Sequence, residues 1–209
     1  MNKDNGPGLE PEAIARAVDV LRRGGVVAFP TETYYGLAVD PFNQKALERL
    51  FAVKQRSFSK AVLTIIDHPD QLSRLVREIP PVFNILIRHL WPGPLTLVFD
   101  GLPQLPSLLV ADDNTIAIRI SSHPLARSLV RAFGAPVTAT SANLAGEPAA
   151  INGQQVLQSL GSGVDFVIDG GDTPGLIAST IVGTRNGQLN LIREGAISFQ
   201  QVLDVLSAG

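Results

Sequence analysis

The sequence predicts a mixed α/β fold, with a mixed sheet covered by helices. Three observations predict it. Short apolar runs typical of buried strands alternate with stretches of helical spacing along the 209 residues. Hydrophobic residues make up 45% of the chain against 17% charged residues, so a substantial core can form. The last strands lie close together in sequence, which favours antiparallel pairs among them.

Six stretches carry apolar residues at helical spacing, and capping signals support the first and the last of them. The first begins near Pro11, which suits a first helical turn, and stops at Gly24-Gly25. The last follows a capping box from Ser198 to Gln201. The predicted helices cover about 11–23, 44–53, 69–77, 80–89 and 124–133, and the segment after Ser198.

Eight short apolar runs predict strands, and turn residues separate several of them. Trp91-Pro92-Gly93-Pro94 predicts a rigid turn into one strand, because both prolines remove backbone donors. The predicted strands are 26–29, 61–66, 95–99, 115–120, 136–140, 164–168, 179–182 and 188–192. The longest loops are expected around 144–153 and at the DGGDTPG stretch. We expect one domain over residues 10–209 after a flexible tail at 1–9.

Composition excludes several classes of protein. The net charge is −2, which argues against a globally basic nucleic-acid binder. The absence of cysteine excludes disulfides, cysteine nucleophiles and iron–sulfur clusters. The three histidines are far apart, so we predict no metal site. No P-loop, dinucleotide-binding glycine motif or nucleophile elbow is present. With no apolar run of about 18 residues and no signal-peptide core, we expect a soluble, cytoplasmic protein without membrane association.

A cation cluster follows the second predicted helix. Lys54, Arg56 and Lys60 lie within seven residues of a chain that has 17 cations in all. A lysine point charge and an arginine fork suit phosphate or carboxylate. A solvated helix terminus, where cations favour the helix dipole, explains the same pattern. Spacing alone leaves both interpretations open.

Small polar residues follow two buried strands. Thr140-Ser141-Ala142-Asn143 comes where one strand emerges, and Pro30-Thr31-Glu32-Thr33 leaves another. In open α/β sheets, ligands bind outside the carboxyl ends of strands. A helix N-cap or a strand-end turn uses the same residue types, so these interpretations also stay open.

Two arginines belong to apolar runs. Arg119 lies within Ile116–Ile120, and a cation buried there needs a partner or an anionic ligand. Arg193 ends the run Leu189–Ile192, and Ser179 opens a strand after a glycine-rich loop.

Seven strings occur together in one order: FPTET with YYGL, KQR, WPGPLTLV, IAIRI with SHP, TSAN, ASTIV and LIREGAIS. In this combination, from about residue 10 to 206, the chain resembles the YrdC-like family of threonylcarbamoyl-AMP synthases, in its short form. The resemblance implies a twisted open sheet flanked by helices around a deep, positively lined cavity. It also implies synthesis of threonylcarbamoyl-adenylate from L-threonine, bicarbonate and ATP with release of pyrophosphate. Mg²⁺ would be carried by the nucleotide.

The resemblance further implies a partner, a separate transferase that carries the threonylcarbamoyl group to the adenosine beside the anticodon of tRNA. It assigns site residues by motif, with Lys54 and Arg56 as the catalytic, phosphate-binding pair. The ATP-side positions are Lys54, Arg56, Thr115, Ser141, Asn143 and Arg193. The threonine-side positions are Thr31, Arg119 and Ser179.

One segment departs from the family pattern. Ser57 and Ala61 stand where prolines are usual, and proline would stiffen the loop after Arg56. This departure motivates an alternative to the synthase, a YrdC-like paralogue that binds nucleotide or RNA without the synthesis. The near-neutral charge argues for weak RNA binding at most.

Overall fold

The computed structural model describes residues 9–55, 62–175, 177–185 and 187–208. Within these ranges the helices are α1 (Leu9–Arg22), α2 (Gln44–Lys54), α3 (Pro81–Leu90), α4 (Pro124–Phe133), α5 (Gly153–Leu160) and α6 (Phe199–Ala208). The strands are β1 (Val27–Pro30), β2 (Tyr35–Ala38), β3 (Thr64–Ile65), β4 (Leu95–Asp100), β5 (Thr115–Arg119), β6 (Val137–Thr138), β7 (Thr140–Ser141), β8 (Phe166–Val167), β9 (Thr180–Arg185) and β10 (Gln188–Arg193).

The strands form two mixed sheets. The four-stranded sheet has the order β7-β2-β1-β8, in which β1 is antiparallel to β2 and parallel to β8. The six-stranded sheet has the order β10-β9-β4-β5-β3-β6, with parallel pairs β4–β9 and β3–β5. The predicted α/β class with a mixed sheet is therefore confirmed, and the strands are shared between two sheets.

The two sheets are joined at Ala139. Residues 136–140 are predicted as one strand, but Thr138 pairs with β3 whereas Thr140 pairs with β2. Two antiparallel neighbours in different sheets compete for this segment, and the chain satisfies both by crossing between them. The Thr138 hydroxyl fixes the crossing, since it donates to Leu37 O at 3.0 Å and accepts from Val39 N at 2.9 Å.

Both hydrophobic clusters contain residues from both sheets. The larger one combines Leu37 of β2 with Leu97 and Ile118 of the six-stranded sheet. The smaller lies under α1 and α4 and includes Phe29 of β1 and Ile65 of β3. The sheets therefore share their cores, and their strand ends are held at fixed relative positions.

Most predicted elements lie where their periodicity placed them, and the differences have local reasons. The segment 69–77 forms a short 3₁₀ helix, Pro69–Arg74, rather than an α-helix. The sequence does not predict strand β2, because its four residues do not alternate between apolar and polar side chains. All four are buried, and β2 is recognised only by its pairing with β1. Helix α5 is missed because its eight residues carry few apolar side chains. The capping box is confirmed, since Ser198 N donates to Gln201 Oε1 and Gln201 N donates to Ser198 Oγ.

The tail prediction lies outside the described residues except at Leu9, where α1 begins. The single domain over 10–209 stays a prediction. Among the helices of the described ranges, none combines the length and the apolar character that crossing a membrane requires.

Asp165 ties the start of β1 to α2, and its replacement is expected to destabilise the fold. Its carboxylate accepts from Val26 N at 2.7 Å and from Arg49 Nη2 at 2.8 Å. Partial burial alone would raise the pKa of Asp165, but the bonds from Arg49 and Val26 outweigh it and hold the pKa below its ordinary value. Such a carboxylate stabilises the fold above its unfolded pKa and loses that effect as pH falls through the folded pKa.

Asp165→Asn is therefore expected to lower the free energy of unfolding at pH 7 by about 0.5–1.5 kcal/mol, because solvent screens the partly exposed pair with Arg49. The difference from the unmodified chain should begin to shrink as pH falls below the unfolded pKa of about 3.9, and it should disappear only as pH falls through the lower folded pKa. Urea unfolding at pH 7 and pH 3 measures both values. Asp112→Asn, at an exposed turn, is the control. Equal effects of the two substitutions would contradict the prediction.

Candidate active site

Lys54 is the last residue of α2 and its side chain is buried, with 3% of the residue exposed. The next residue, Gln55, adopts a left-handed conformation at φ 50°, which ends the helix. A non-glycine residue there carries a conformational cost of about 1–2 kcal/mol. The ammonium donates to Ser141 O, to Asn143 O at 2.8 Å and to Asn143 Oδ1 at 3.3 Å. Lys54 therefore holds the loop that follows β7.

That loop, residues 141–143, is closed by its own polar side chains. Ser141 Oγ donates to Asn143 Oδ1 at 2.6 Å. The Asn143 amide donates to Leu144 O at 2.9 Å and to Glu147 O at 2.6 Å. Ser141 pairs with Gly36 of β2, so the loop lies at the beginning of that strand. The turn interpretation of this motif is confirmed by these bonds, whereas its ligand-binding interpretation stays a prediction.

The turn at residues 31–34 connects β1 to β2 beside this loop. The Thr31 hydroxyl donates to Tyr34 O at 2.7 Å and accepts from Thr33 N at 3.2 Å. Thr31 and Thr33 are buried, and their hydroxyls are 3.0 Å apart. The threonines therefore fix the turn, and Glu32 is carried at its centre.

Glu32 connects this turn to the six-stranded sheet. Its Oε1 lies 3.4 Å from Arg119 Nη1, and its Oε2 accepts from Ser121 Oγ. Arg119 ends β5 and is 2% exposed. Burial lowers the pKa of Arg119, the Glu32 charge raises it, and the Arg193 charge lowers it. Arg119 stays charged, and its environment contains both an opposite and a like charge.

Arg193 ends β10 and reaches the start of β9. Its Nη2 and Nε donate to Ser179 O at 2.7 and 3.2 Å. The Ser179 hydroxyl lies 2.9 Å from Thr96 Oγ1, and both residues are buried. Gly195, which follows β10, lets the chain lie close to the backbone before β9, because a Cβ there would lie 2.2 Å from Ala178 O. Arg193 thus contacts a threonine-side position, Ser179, rather than standing apart from it.

Thr115 and Arg119 lie at opposite ends of β5, since Thr115 begins that strand and Arg119 ends it. Thr115 donates through its hydroxyl to Asp113 Oδ1 at 2.7 Å. It also lines a cavity of about 320 Å³ whose charged residues are Glu78, Asp100, Asp113 and Arg185. Among the described residues, no hydrogen bond or ion pair joins Thr115 to another predicted site position.

Arg56, Ser57, Lys60 and Ala61 lie outside the described residues. The other predicted positions form two groups, one at the start of β2 and one at the turn at residues 31–34, which precedes β2 in the chain. One group comprises Lys54, Ser141 and Asn143, and the other comprises Arg119, Ser179 and Arg193. Among the charged side chains described in these groups, Lys54, Arg119, Arg193 and Glu32 carry a net charge of +2, from three cations and one carboxylate. Such a surplus attracts anionic groups.

The sequence interpretation missed three residues of this site: Glu32, Ser121 and Thr96. The sequence does contain a signal for Glu32. A buried Arg119 requires an anionic partner, and Glu32 is a carboxylate that closely follows the buried strand β1. Ser121 and Thr96 had none, because their roles depend on strand neighbours. As for metals, no group of three or more histidine or acidic residues in the described part of the chain could hold an ion.

Comparison with known proteins gives a consistent result. The profile of the Sua5/YciO/YrdC family, described as telomere recombination, matches residues 19–195. A threonylcarbamoyl-AMP synthase of Vibrio cholerae is 42% identical over 161 residues, which cover 76% of this chain and 86% of that protein.

Solved structures agree in fold. Pyrococcus abyssi Sua5 complexed with L-threonine is 32% identical with a TM-score of 0.88, over 92% of this chain and 56% of that one. Escherichia coli YciO is 26% identical with a TM-score of 0.79, over 88% of this chain and 90% of that one. This chain belongs to the Sua5/YciO/YrdC family.

Proposed function

We propose that this chain synthesises L-threonylcarbamoyl-adenylate from L-threonine, bicarbonate and ATP, releasing pyrophosphate. The observation that carries the proposal is the placement of Arg119 and Arg193 near the turn at residues 31–34, with Lys54 and the 141–143 loop at the adjoining start of β2, within this family's fold. The name of the Vibrio cholerae relative and the threonine complex of the Pyrococcus abyssi relative support it.

On the amino-acid side, Arg119 would bind the threonine carboxylate, with Thr31 and Ser179 beside it. A guanidinium that is 2% exposed forms strong charge-assisted bonds with a carboxylate, because little water competes. The nearby Arg193 charge favours the same anion, since a carboxylate relieves its repulsion with Arg119. The threonine amine would attack the carbon of bicarbonate, and the products are a carbamate and water.

On the nucleotide side, Ser141, Asn143 and Lys54 would bind ATP, with Arg56 from the segment outside the described residues. Lys54 shapes the 141–143 loop by direct bonds and adds its charge to the site. A carbamate oxygen would then attack the α-phosphorus, forming a P–O bond while the bond to the pyrophosphate leaving group breaks. Fixed cations stabilise the charge that develops in this step without a protein nucleophile.

Mg²⁺ would enter as part of the nucleotide substrate, and Thr115 as a nucleotide contact stays a prediction. The product is a mixed anhydride, which a separate transferase would use to modify tRNA. Weak RNA binding and a cytoplasmic location also stay predictions.

The test is pyrophosphate release by the full chain with ATP and Mg²⁺, with threonine or bicarbonate omitted in turn. We expect release only when both are present, together with a product of the mass of threonylcarbamoyl-adenylate. Folded protein that binds ATP but releases no pyrophosphate would contradict the proposal. That outcome would favour the alternative, a module that binds nucleotide or RNA.

A further inference from the structure

The Glu32–Arg119 pair is buried but incompletely bonded. The two groups approach to 3.4 Å between Glu32 Oε1 and Arg119 Nη1, without a hydrogen bond between them. Arg119 Nε and Glu32 Oε1 are both buried and have no hydrogen-bond partner among the described residues. One unmatched donor and one unmatched acceptor therefore lie beside each other.

A pair that served only stability would be expected to satisfy both groups. Arginine and carboxylate usually pair through two parallel hydrogen bonds, and unmatched buried polar atoms are costly. Ser121 holds the other Glu32 oxygen, so Oε1 is the carboxylate oxygen that is left without a hydrogen-bond partner. Glu32 is thus held in place from one side and directed toward Arg119 on the other.

The unmatched atoms complement an α-amino acid zwitterion. Its carboxylate accepts from a guanidinium, and its ammonium donates to a carboxylate. These two charges are borne on atoms attached to the same carbon, so adjacent protein partners suit them. We propose that Glu32 binds the α-ammonium of the amino-acid substrate whose carboxylate Arg119 binds. Identifying that amino acid as L-threonine rests on the proposed function.

The same contact gives Glu32 a positioning role. The ammonium nitrogen becomes the nucleophile after it gives one proton to solvent, so the residue that holds it sets the approach toward bicarbonate. The turn at residues 31–34 leads directly into β2, whose Gly36 pairs with Ser141 of the 141–143 loop. Glu32 would therefore orient the amino acid relative to both other substrates.

The test compares binding of L-threonine with binding of (R)-3-hydroxybutyrate, which lacks only the amino group. Calorimetric titration of the full chain is expected to show preference for threonine by roughly 10- to 100-fold, the value of a charge-assisted hydrogen bond. Glu32→Gln should lose most of this preference, because an amide has no charge to offer the ammonium. Glu32→Asp, which keeps the charge, should retain part of it.

Two further variants separate binding from fold. Ser121→Ala keeps the Glu32 charge but removes the bond that holds it, so an intermediate preference is expected. Glu12→Gln, on the exposed face of α1, should bind like the unmodified chain. A merely structural role for Glu32 would weaken both compounds equally. That result, or a Glu32→Gln variant with the original preference, would overturn the proposal.

Pyrophosphate release in the same preparations tests the proposed function separately. Turnover with no preference for the amino group refutes the role of Glu32 and leaves the synthesis standing. A preference that depends on Glu32 without turnover supports the ammonium site and refutes the synthesis.

Discussion

Replacing Lys54 with methionine is expected to reduce pyrophosphate release by at least about 100-fold, the usual effect of losing one group that stabilises developing charge. Methionine preserves the length of the side chain but removes the charge and all three bonds to residues 141–143. The freed carbonyls of Ser141 and Asn143 lose a buried donor, so the loop that would hold the nucleotide loosens. Steady-state rates at saturating threonine and bicarbonate measure the effect.

Lys45→Met is the matched control, because Lys45 lies on the exposed face of the same helix. It should leave turnover within about twofold, as expected of surface substitutions. Lys54→Arg separates the effect of side-chain shape from that of charge. It keeps the positive charge, but the larger guanidinium does not fit a position that is 3% exposed. Unchanged turnover in Lys54→Met would contradict a catalytic role for the Lys54 charge and leave this residue as the end of α2 only.

Replacing Arg119 with lysine is expected to raise the KM for threonine by roughly 10- to 100-fold, the value of a bidentate carboxylate contact. The KM for ATP should change little, because Lys54 and the 141–143 loop are untouched. The charge is kept, so Glu32 still has a cation nearby. What is lost is the planar fork that can bind Glu32 and a substrate carboxylate at once.

Arg119→Met should behave differently, because it leaves Glu32 as a largely buried carboxylate without a counter-charge. We expect destabilisation of about 3–5 kcal/mol, and partial recovery when Glu32→Gln is added. Arg131→Lys is the control, since Arg131 forms an exposed pair with Asp67. An equal rise in both KM values for Arg119→Lys would contradict a threonine-side role for this arginine.

The local signals in the sequence predicted most elements and several site residues. Glycines and caps placed the helix ends, and buried apolar runs placed most of the strands. The arginine in an apolar run predicted a buried cation that requires a partner, and Arg119 with Glu32 confirms it. The family resemblance, carried by seven ordered strings, is confirmed by the family profile over residues 19–195.

Other features depend on which strands become neighbours, and local patterns do not contain that information. Residues 136–140 read as one strand, yet competition between β2 and β3 divides them at Ala139. This division puts Ser141 beside Gly36 and so brings the 141–143 loop to the start of β2, which follows the turn at residues 31–34 in the chain. The bonds from the Lys54 ammonium to the backbone carbonyls of Ser141 and Asn143 likewise depend on the fold, and its role as a phosphate ligand stays a prediction.

The sequence by itself determined the fold class, the family and the types of charged residue that the site uses. Those follow from periodicity, end signals and motif order, which are properties of neighbouring residues. Only the tertiary structure decided that Glu32 faces Arg119 and that Arg193 bonds Ser179. Each depends on contacts between segments distant in the chain, and the low dielectric of the core makes those contacts decisive for charged groups.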